Sequence, residues 1–367
     1  MFKNNNRIVL TLDAGGTNFV FSAIQNNTEI VTPLVLPAYP DNLKKCLDSL
    51  VVGFSQIKKR VKSAPVAISF ALPGPADYEN GIIGDLPNFP SFKGGVALGP
   101  FLREKFDIPV FINNDGNLFA YGEALCGILP EINKQLEIRG NRKRYKNLLG
   151  FTFGTGFGGG IVINNDLLLG DNGCGGDVWS MVNKTNNNLI AEEGVSIRAI
   201  QRKYHELSGT NEKLTPKEIY DIAEGNAPGN RSAAIKSFEE LGEVAGFTIA
   251  ESLSIVDGIV VIGGGIANAY KYFMPSLIKE MNGFRYTRNG EPYPRLSMKV
   301  YNLLDEQEKS EFFKEEIKTV KVPEFNKTVG YNVAKKTGIT TTKLGTSRAI
   351  ALGAYNFALN RIDKGID

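Results

Sequence analysis

An aspartate at the end of an apolar strand, followed at once by glycines and a threonine, suits phosphate and metal chemistry better than packing. The stretch TLDAGGTN, residues 11–18, has this form. Asp13 has little structural use at a strand tip but could hold hydrated Mg²⁺, while the glycine backbone N–H groups and the Thr17 hydroxyl can surround phosphate oxygens without obstruction from Cβ atoms. A second Gly/Thr turn, FGTGFGGGI, places Thr155 between Gly154 and Gly156. A third glycine turn, VIGGGI at 261–266, leads from a strand into a helix and is of the kind that permits close approach of an adenosine or a phosphate. The spacing Gly154-x-Gly156-x-x-Gly159 matches a dinucleotide fingerprint in form, but a strand rather than a helix follows it, and no G-x-x-x-x-G-K-[ST] occurs. Asp115 follows the strand PVFINN and opens a helix, so it projects from a rigid edge; GDNGCGGDVWSM, residues 170–181, could hold a metal, a phosphate or a neutral polar substrate.

The elements that must position these residues alternate between strand and helix. RIVLTLDAGGTNFVFSAI reads as a hairpin, because β-branched and aromatic residues flank the glycines on both sides, and residues 147–164 repeat the plan. APVAISFALPGPADYENG is a strand ending in a Pro-Gly-Pro turn, and IPVFINNDGNLFAYGEAL is a strand, a polar break and a helix. Helical spacing marks AEEGVSIRAIQRKYHEL, TPKEIYDIAEG, the long run from Arg231 to Val256 and the final TSRAIALGAYNFALNRI. Residues 303–345 are highly charged and read as a solvated excursion. The fold class is therefore α/β.

With 367 residues, the chain exceeds what one hydrophobic core usually organises, so two lobes are expected. Its 42 basic and 39 acidic side chains nearly cancel, to +3, which argues against a nucleic-acid or anionic-membrane surface and for a small-molecule substrate. No apolar run approaches the ~20 residues a bilayer span requires, and the N-terminus has no secretory pattern, so a cytoplasmic location is expected. Cys46, Cys126 and Cys174 lie far apart and form no C-x-x-C pair, which suggests neither a disulfide framework nor a thiolate metal site; they read as small, partly buried hydrophobes.

The ordered set TLDAGGTN, LPGP, LPNFP, NNDGN, FGTGFGGGI and VIGGGI resembles the ROK sugar kinases of the actin-like ATPase superfamily over nearly the whole chain. The resemblance implies two actin-like (ribonuclease H-like) ATPase lobes with a central cleft: residues 1–114 plus 348–367 in the smaller, 115–347 in the larger. It implies an ATP- and Mg²⁺-dependent hexose kinase with Asp115 as general base, a role phosphoryl transfer to a hydroxyl requires. Asn88, Asn114, Asp177 and Glu192 match sugar-binding positions. Asp13 would serve the metal through water, Gly15, Gly16, Thr17 and Asn18 the first phosphate loop, Thr155 and Gly156 the second, and Gly264 and Gly265 the adenosine side. DNA-binding members of the family carry a helix-turn-helix before the first hairpin, and only about seven residues precede that strand here, which points to the kinase branch; a homodimer is also expected.

GCGGDVWSM aligns with the family's Gly-Glu-x-Gly-His stretch, with Asp177 in place of a sugar-binding glutamate, Trp179 in place of a glycine and Ser180 in place of a zinc-ligating histidine. The cysteine-rich segment that normally follows is absent, and a hydroxyl cannot complete a Cys₃His site, so no structural zinc is expected. Cys174 becomes a turn residue, and Trp179 an apolar plug or an aromatic platform for a sugar ring. His205, the only histidine, is expected at the surface. A second reading keeps the fold but makes the protein a sugar sensor of little activity; a third, an oxidoreductase, would require nicotinamide binding.

Overall fold

The computed structural model describes residues 5–74, 76–86 and 88–366. Pro75 of the expected Pro-Gly-Pro turn and Pro87 of LPNFP lie outside the described residues. The chain forms two compact units, one of residues 1–128, 160–176 and 343–367, the other of residues 129–159 and 177–342.

In the first unit the expected hairpin is Ile8–Ala14 with Asn18–Gln25, in register from Ile8 opposite Gln25 to Ala14 opposite Phe19. Ala67–Ala71 and Val110–Asn113 extend the sheet in parallel. One face is closed by the helix Leu43–Arg60, whose Cys46, Leu50, Phe54 and Ile57 recur at helical spacing and are buried. Phe54 meets Phe21 edge-on at 5.0 Å between ring centroids, and a Cβ at Gly53 would overlap the Phe21 ring, so glycine is needed there.

Helices Asp115–Leu125 and Thr346–Asp363 also belong to this unit. They cross so closely that a methyl at Gly122 would overlap the Ala349 carbonyl, and one at Gly353 the Leu118 carbonyl. The first helix is buried from Gly116 to Ala124. This packing explains the main difference from the expected boundary at residue 115: the glycine contact ties the Asp115 helix to the C-terminal helix. Gly160 approaches the same helix, with no room for a side chain against Gly116, Asn117 and Ala120, and so residues 160–176 join the first unit as well.

The second unit is built on the parallel strands Leu148–Phe153, Ile259–Gly263, Lys336–Thr341 and Lys299–Asn302, paired in that order. Phe157–Ile163 is the hairpin partner of the first of these. The helices Arg231–Ile255 and Tyr270–Met281 pack at Gly242 and Gly246, whose missing side chains let the backbone of Phe273 and Leu277 approach.

The expectation of a solvated excursion over 303–345 is corrected. Helix Glu306–Phe313 buries Phe312 and Phe313, and Lys336–Thr341 is an interior strand of the sheet, buried along nearly its whole length. Lys336 is buried because its Nζ donates to the carbonyls of Glu311 (3.0 Å) and Lys314 (2.9 Å) and pairs with Glu316 (3.1 Å). Within this segment the hairpin Ile317–Lys321 with Thr328–Asn332 is exposed throughout.

Candidate functional site

In the first unit the expected residues gather where parallel strands end. Leu12 pairs with Phe70, and Ala71 with Asn113, so Asp13, the end of Ala67–Ala71 and Asn113–Asp115 share the carboxyl edge of one sheet, the edge at which open α/β sheets bind ligands. Asp13 pairs with Val20 through the backbone, but it is exposed and its carboxylate has no hydrogen-bond partner among the described residues. The turn of Gly15, Gly16 and Thr17 is tight: a Cβ on Gly15 would lie 2.9 Å from the Asn18 carbonyl oxygen. The Thr17 carbonyl accepts from the Ala38 N–H at 2.9 Å. Gly16 faces Asn88, with only 3.6 Å from a Cβ built there to the Asn88 Cβ. Asn88 is exposed beside buried Phe89, which stacks on Phe19 at 6.0 Å.

Asn114 is the N-cap of the next helix, its Oδ1 accepting from the Gly116 N–H at 2.8 Å. Asp115 therefore occupies the first helical position rather than the cap, and its carboxylate is left for other work; its Oδ1 also accepts from Gly116, at 2.9 Å. Protein surrounding the carboxyl pushes its pKa above the ordinary carboxylate value, opposed by the Gly116 and Asp115 backbone N–H groups. Sequence reasoning missed two supports. Tyr78 Oη donates to the Leu72 carbonyl at 2.9 Å and stands 3.4 Å from Asn114 Nδ2. Asn113 Oδ1 accepts from the Asn114 N–H at 2.7 Å and from Asn117 Nδ2 at 3.1 Å.

In the second unit Gly154, Thr155 and Gly156 connect Leu148–Phe153 to Phe157–Ile163. Glu192 lies directly against Gly156, where a Cβ would overlap its carboxylate. Glu192 Oε2 accepts from the Phe157 N–H at 3.0 Å, and Oε1 from Arg198 Nη2 at 2.8 Å. Arg198 also bonds Glu193 at 2.7 Å and reaches the Thr155 carbonyl at 3.5 Å. Glu192 thus braces the second hairpin, although each oxygen keeps a lone pair for a ligand. Arg198 is not singled out by the sequence: Glu192 and Glu193 lie only six and five residues upstream, but its reach to the Thr155 carbonyl 43 residues away appears only in the fold.

Thr152 pairs with Gly263, so the second hairpin and Gly264 stand at one edge of this sheet. Gly264 has φ +88° and touches the Phe153 backbone, where only glycine fits, while a Cβ on Gly265 would meet open space. The strand–turn–helix order is as expected, beginning with a 3₁₀ turn over Gly265–Ala269. Asp177 is exposed and precedes the 3₁₀ turn Val178–Ser180, with Ser180 Oγ donating to its carbonyl at 3.1 Å. Trp179 is 42% exposed, which removes the plug reading; Val178 is the buried residue of that turn. Cys174 is exposed, as a turn residue should be. His205 is half-buried rather than a surface residue, its Nε2 enclosed without a hydrogen-bond partner.

Two units with glycine-tipped hairpins at the carboxyl edges of their sheets, and an aspartate at the helix start of the first, define the actin-like sugar kinases, enzymes that phosphorylate an alcohol acceptor with ATP. The chain belongs to the ROK family, whose model matches residues 9–302. It is 58% identical to a glucokinase from Parabacteroides distasonis whose crystal structure superposes with a TM-score of 0.88, covering 98% of this chain and 99% of that one. A glucokinase from Thermotoga maritima is 26% identical over 302 residues, 74% of this chain and 89% of its own. A xylose repressor from Bacillus spizizenii is 25% identical over 269 residues, 70% of this chain and 63% of its own. A Streptomyces griseus ROK glucokinase solved with glucose and AMPPNP shares the fold at 17% identity and a TM-score of 0.60, covering 95% of this chain and 98% of that one.

Proposed function

We propose that the protein transfers the terminal phosphoryl group of ATP to a hydroxyl of a hexose, with Asp115 as general base. The observation that carries this reading is the Asp115 carboxylate itself: relieved of capping by Asn114, held at a rigid strand-to-helix junction and raised in pKa by burial. A base with a raised pKa accepts the hydroxyl proton with a better driving force. Asn114 and Asn88 offer amide donors and acceptors to sugar hydroxyls, and Asp177 and Glu192 offer carboxylate acceptors. Gly15, Gly16, Thr17 and Asn18 in the first unit, and Thr155 and Gly156 in the second, each offer backbone N–H groups and hydroxyls suited to phosphate oxygens; Gly264 and Gly265 leave room for an adenosine.

Asp13, an exposed carboxylate without a partner among the described residues beside the first glycine turn, fits a water-mediated hold on Mg²⁺. When bound, that ion neutralises charge on the phosphates. We further propose that the protein holds no structural zinc. The segment after Ser180 is a small hairpin, Val182–Asn183 with Asn186–Ile190, closed by its own bonds: Asn183 Oδ1 accepts from the Thr185 N–H (2.9 Å) and hydroxyl (2.8 Å). Among the described residues no cluster of three or more His, Cys, Asp or Glu could hold a metal ion.

ADP release measured with MgATP across a panel of glucose, mannose, N-acetylglucosamine and N-acetylmannosamine tests the function. Sugar-dependent turnover with at least one hexose is expected. Sugar binding without turnover would instead favour the sensor reading, which the xylose-repressor similarity keeps in view.

A further inference from the structure

The first unit contains a cavity of about 640 Å³ that none of the residues assigned above to sugar, phosphate or base lines. Its walls come from the helix Leu98–Phe106, the strand Val110–Asn113, the last turns of Thr346–Asp363 and the two loops 76–80 and 169–173. Two arginines face it, Arg103 and Arg361, and neither forms an ion pair among the described residues. Arg361 Nε is enclosed without a hydrogen-bond acceptor, a costly state for a guanidinium N–H. Three carboxylates share the cavity, yet none closes on either arginine: Asp77 is held by Asn80 at 2.7 Å and 3.1 Å, while Glu79 and Asp171 have no hydrogen-bond partner among the described residues. Phe111 and Phe357, edge-to-face at 6.3 Å, supply apolar surface.

Unpaired guanidinium donors and unpaired carboxylate acceptors in one cavity ask for a ligand that carries an anion at one end and hydroxyl donors at the other. A phosphate dianion matches two arginines, hydroxyls match Glu79 and Asp171, and a sugar ring face matches the phenylalanines. We propose that this cavity is a second ligand site that takes a sugar phosphate monoester; that it is the class of the enzyme's own product rests on the kinase reading above. The ligand would abut Tyr78 and Asn113, the two residues that hold Asn114, and so sits where occupancy can bear on the proposed base.

Isothermal titration of the full chain with glucose 6-phosphate, and separately with inorganic phosphate, tests the site directly. Saturable binding of glucose 6-phosphate is expected, at least tenfold weaker in Arg103→Gln and in Arg361→Gln, with inorganic phosphate at least tenfold weaker than the sugar phosphate. Arg103 is exposed on its helix, so its variant serves should Arg361→Gln fail to fold. Absence of saturable binding to the wild type, undiminished binding in Arg103→Gln, or equal binding of inorganic phosphate would overturn the proposal. Because the readout is heat and not turnover, a failed hexose panel leaves this result standing, and a failed titration leaves the kinase reading untouched.

Discussion

Asp115 stands out in the sequence because a polar break between an apolar strand and a helix leaves few other purposes for a carboxylate. Its electrostatics do not, since they depend on what packs around it. Burial raises its pKa, so the rate should fall on acidification through a value above the ordinary carboxylate pKa; a pH profile of kcat/KM measures it. Stability has the opposite sign. A carboxyl whose folded pKa is raised contributes stability fully below its unfolded pKa and loses it as pH rises through the folded value. Asp115→Asn should therefore melt at a higher temperature than the wild type near pH 8, with the difference shrinking toward pH 4; scanning calorimetry at both values checks this. Glu192 is expected from sequence as a sugar ligand, but its position under Gly156, 36 residues upstream, arises from tertiary packing that no local motif announces. Arg198→Met should loosen the second hairpin and raise KM for ATP more than it lowers sugar affinity, as initial rates at varied ATP and direct sugar titration would show.

Each glycine hairpin is readable from apolar runs on either side of a turn, and both occur where expected. The helix carrying Asp115 is readable too, but the crossing that fixes it is not, because Gly122 and Gly353 are far apart in sequence and show their purpose only when two helices touch. Adding a methyl at either position forces backbone apart, so Gly122→Ala and Gly353→Ala should each cost about 3 kcal/mol, near the upper end for overpacking, as measured by urea unfolding. The strand Lys336–Thr341 is hidden by its charged surroundings: a run of threonines and an isoleucine after a glycine is a strand signal, yet the flanking lysines mask it. Lys336 is tolerated inside because three backbone and side-chain oxygens receive its ammonium group. Lys336→Met would remove the charge along with its need for partners, and a smaller loss than for Lys336→Ala is expected in the same unfolding assay.

The chain as a whole is a ROK family member with the α/β units of the actin-like kinases, and among its described residues no helix is long and apolar enough to cross a membrane. The division between units is only partly legible in the sequence, because the chain passes from one to the other several times and the first unit gathers three separate segments. The stretch GDNGCGGDVWSM is itself divided: residues up to Gly176 belong to the first unit, and Asp177 onward to the second. Elemental analysis of the purified protein should find no stoichiometric zinc; one zinc per chain would contradict the reading of the 182–190 hairpin. The most direct test of the proposed chemistry compares wild type and Asp115→Asn in ADP release with the preferred hexose, alongside sugar binding by calorimetry. With Asp115 as the base, sugar binding should stay within a few fold of wild type and the rate should drop by on the order of 10²–10⁴-fold. Near-normal turnover by Asp115→Asn would contradict that role.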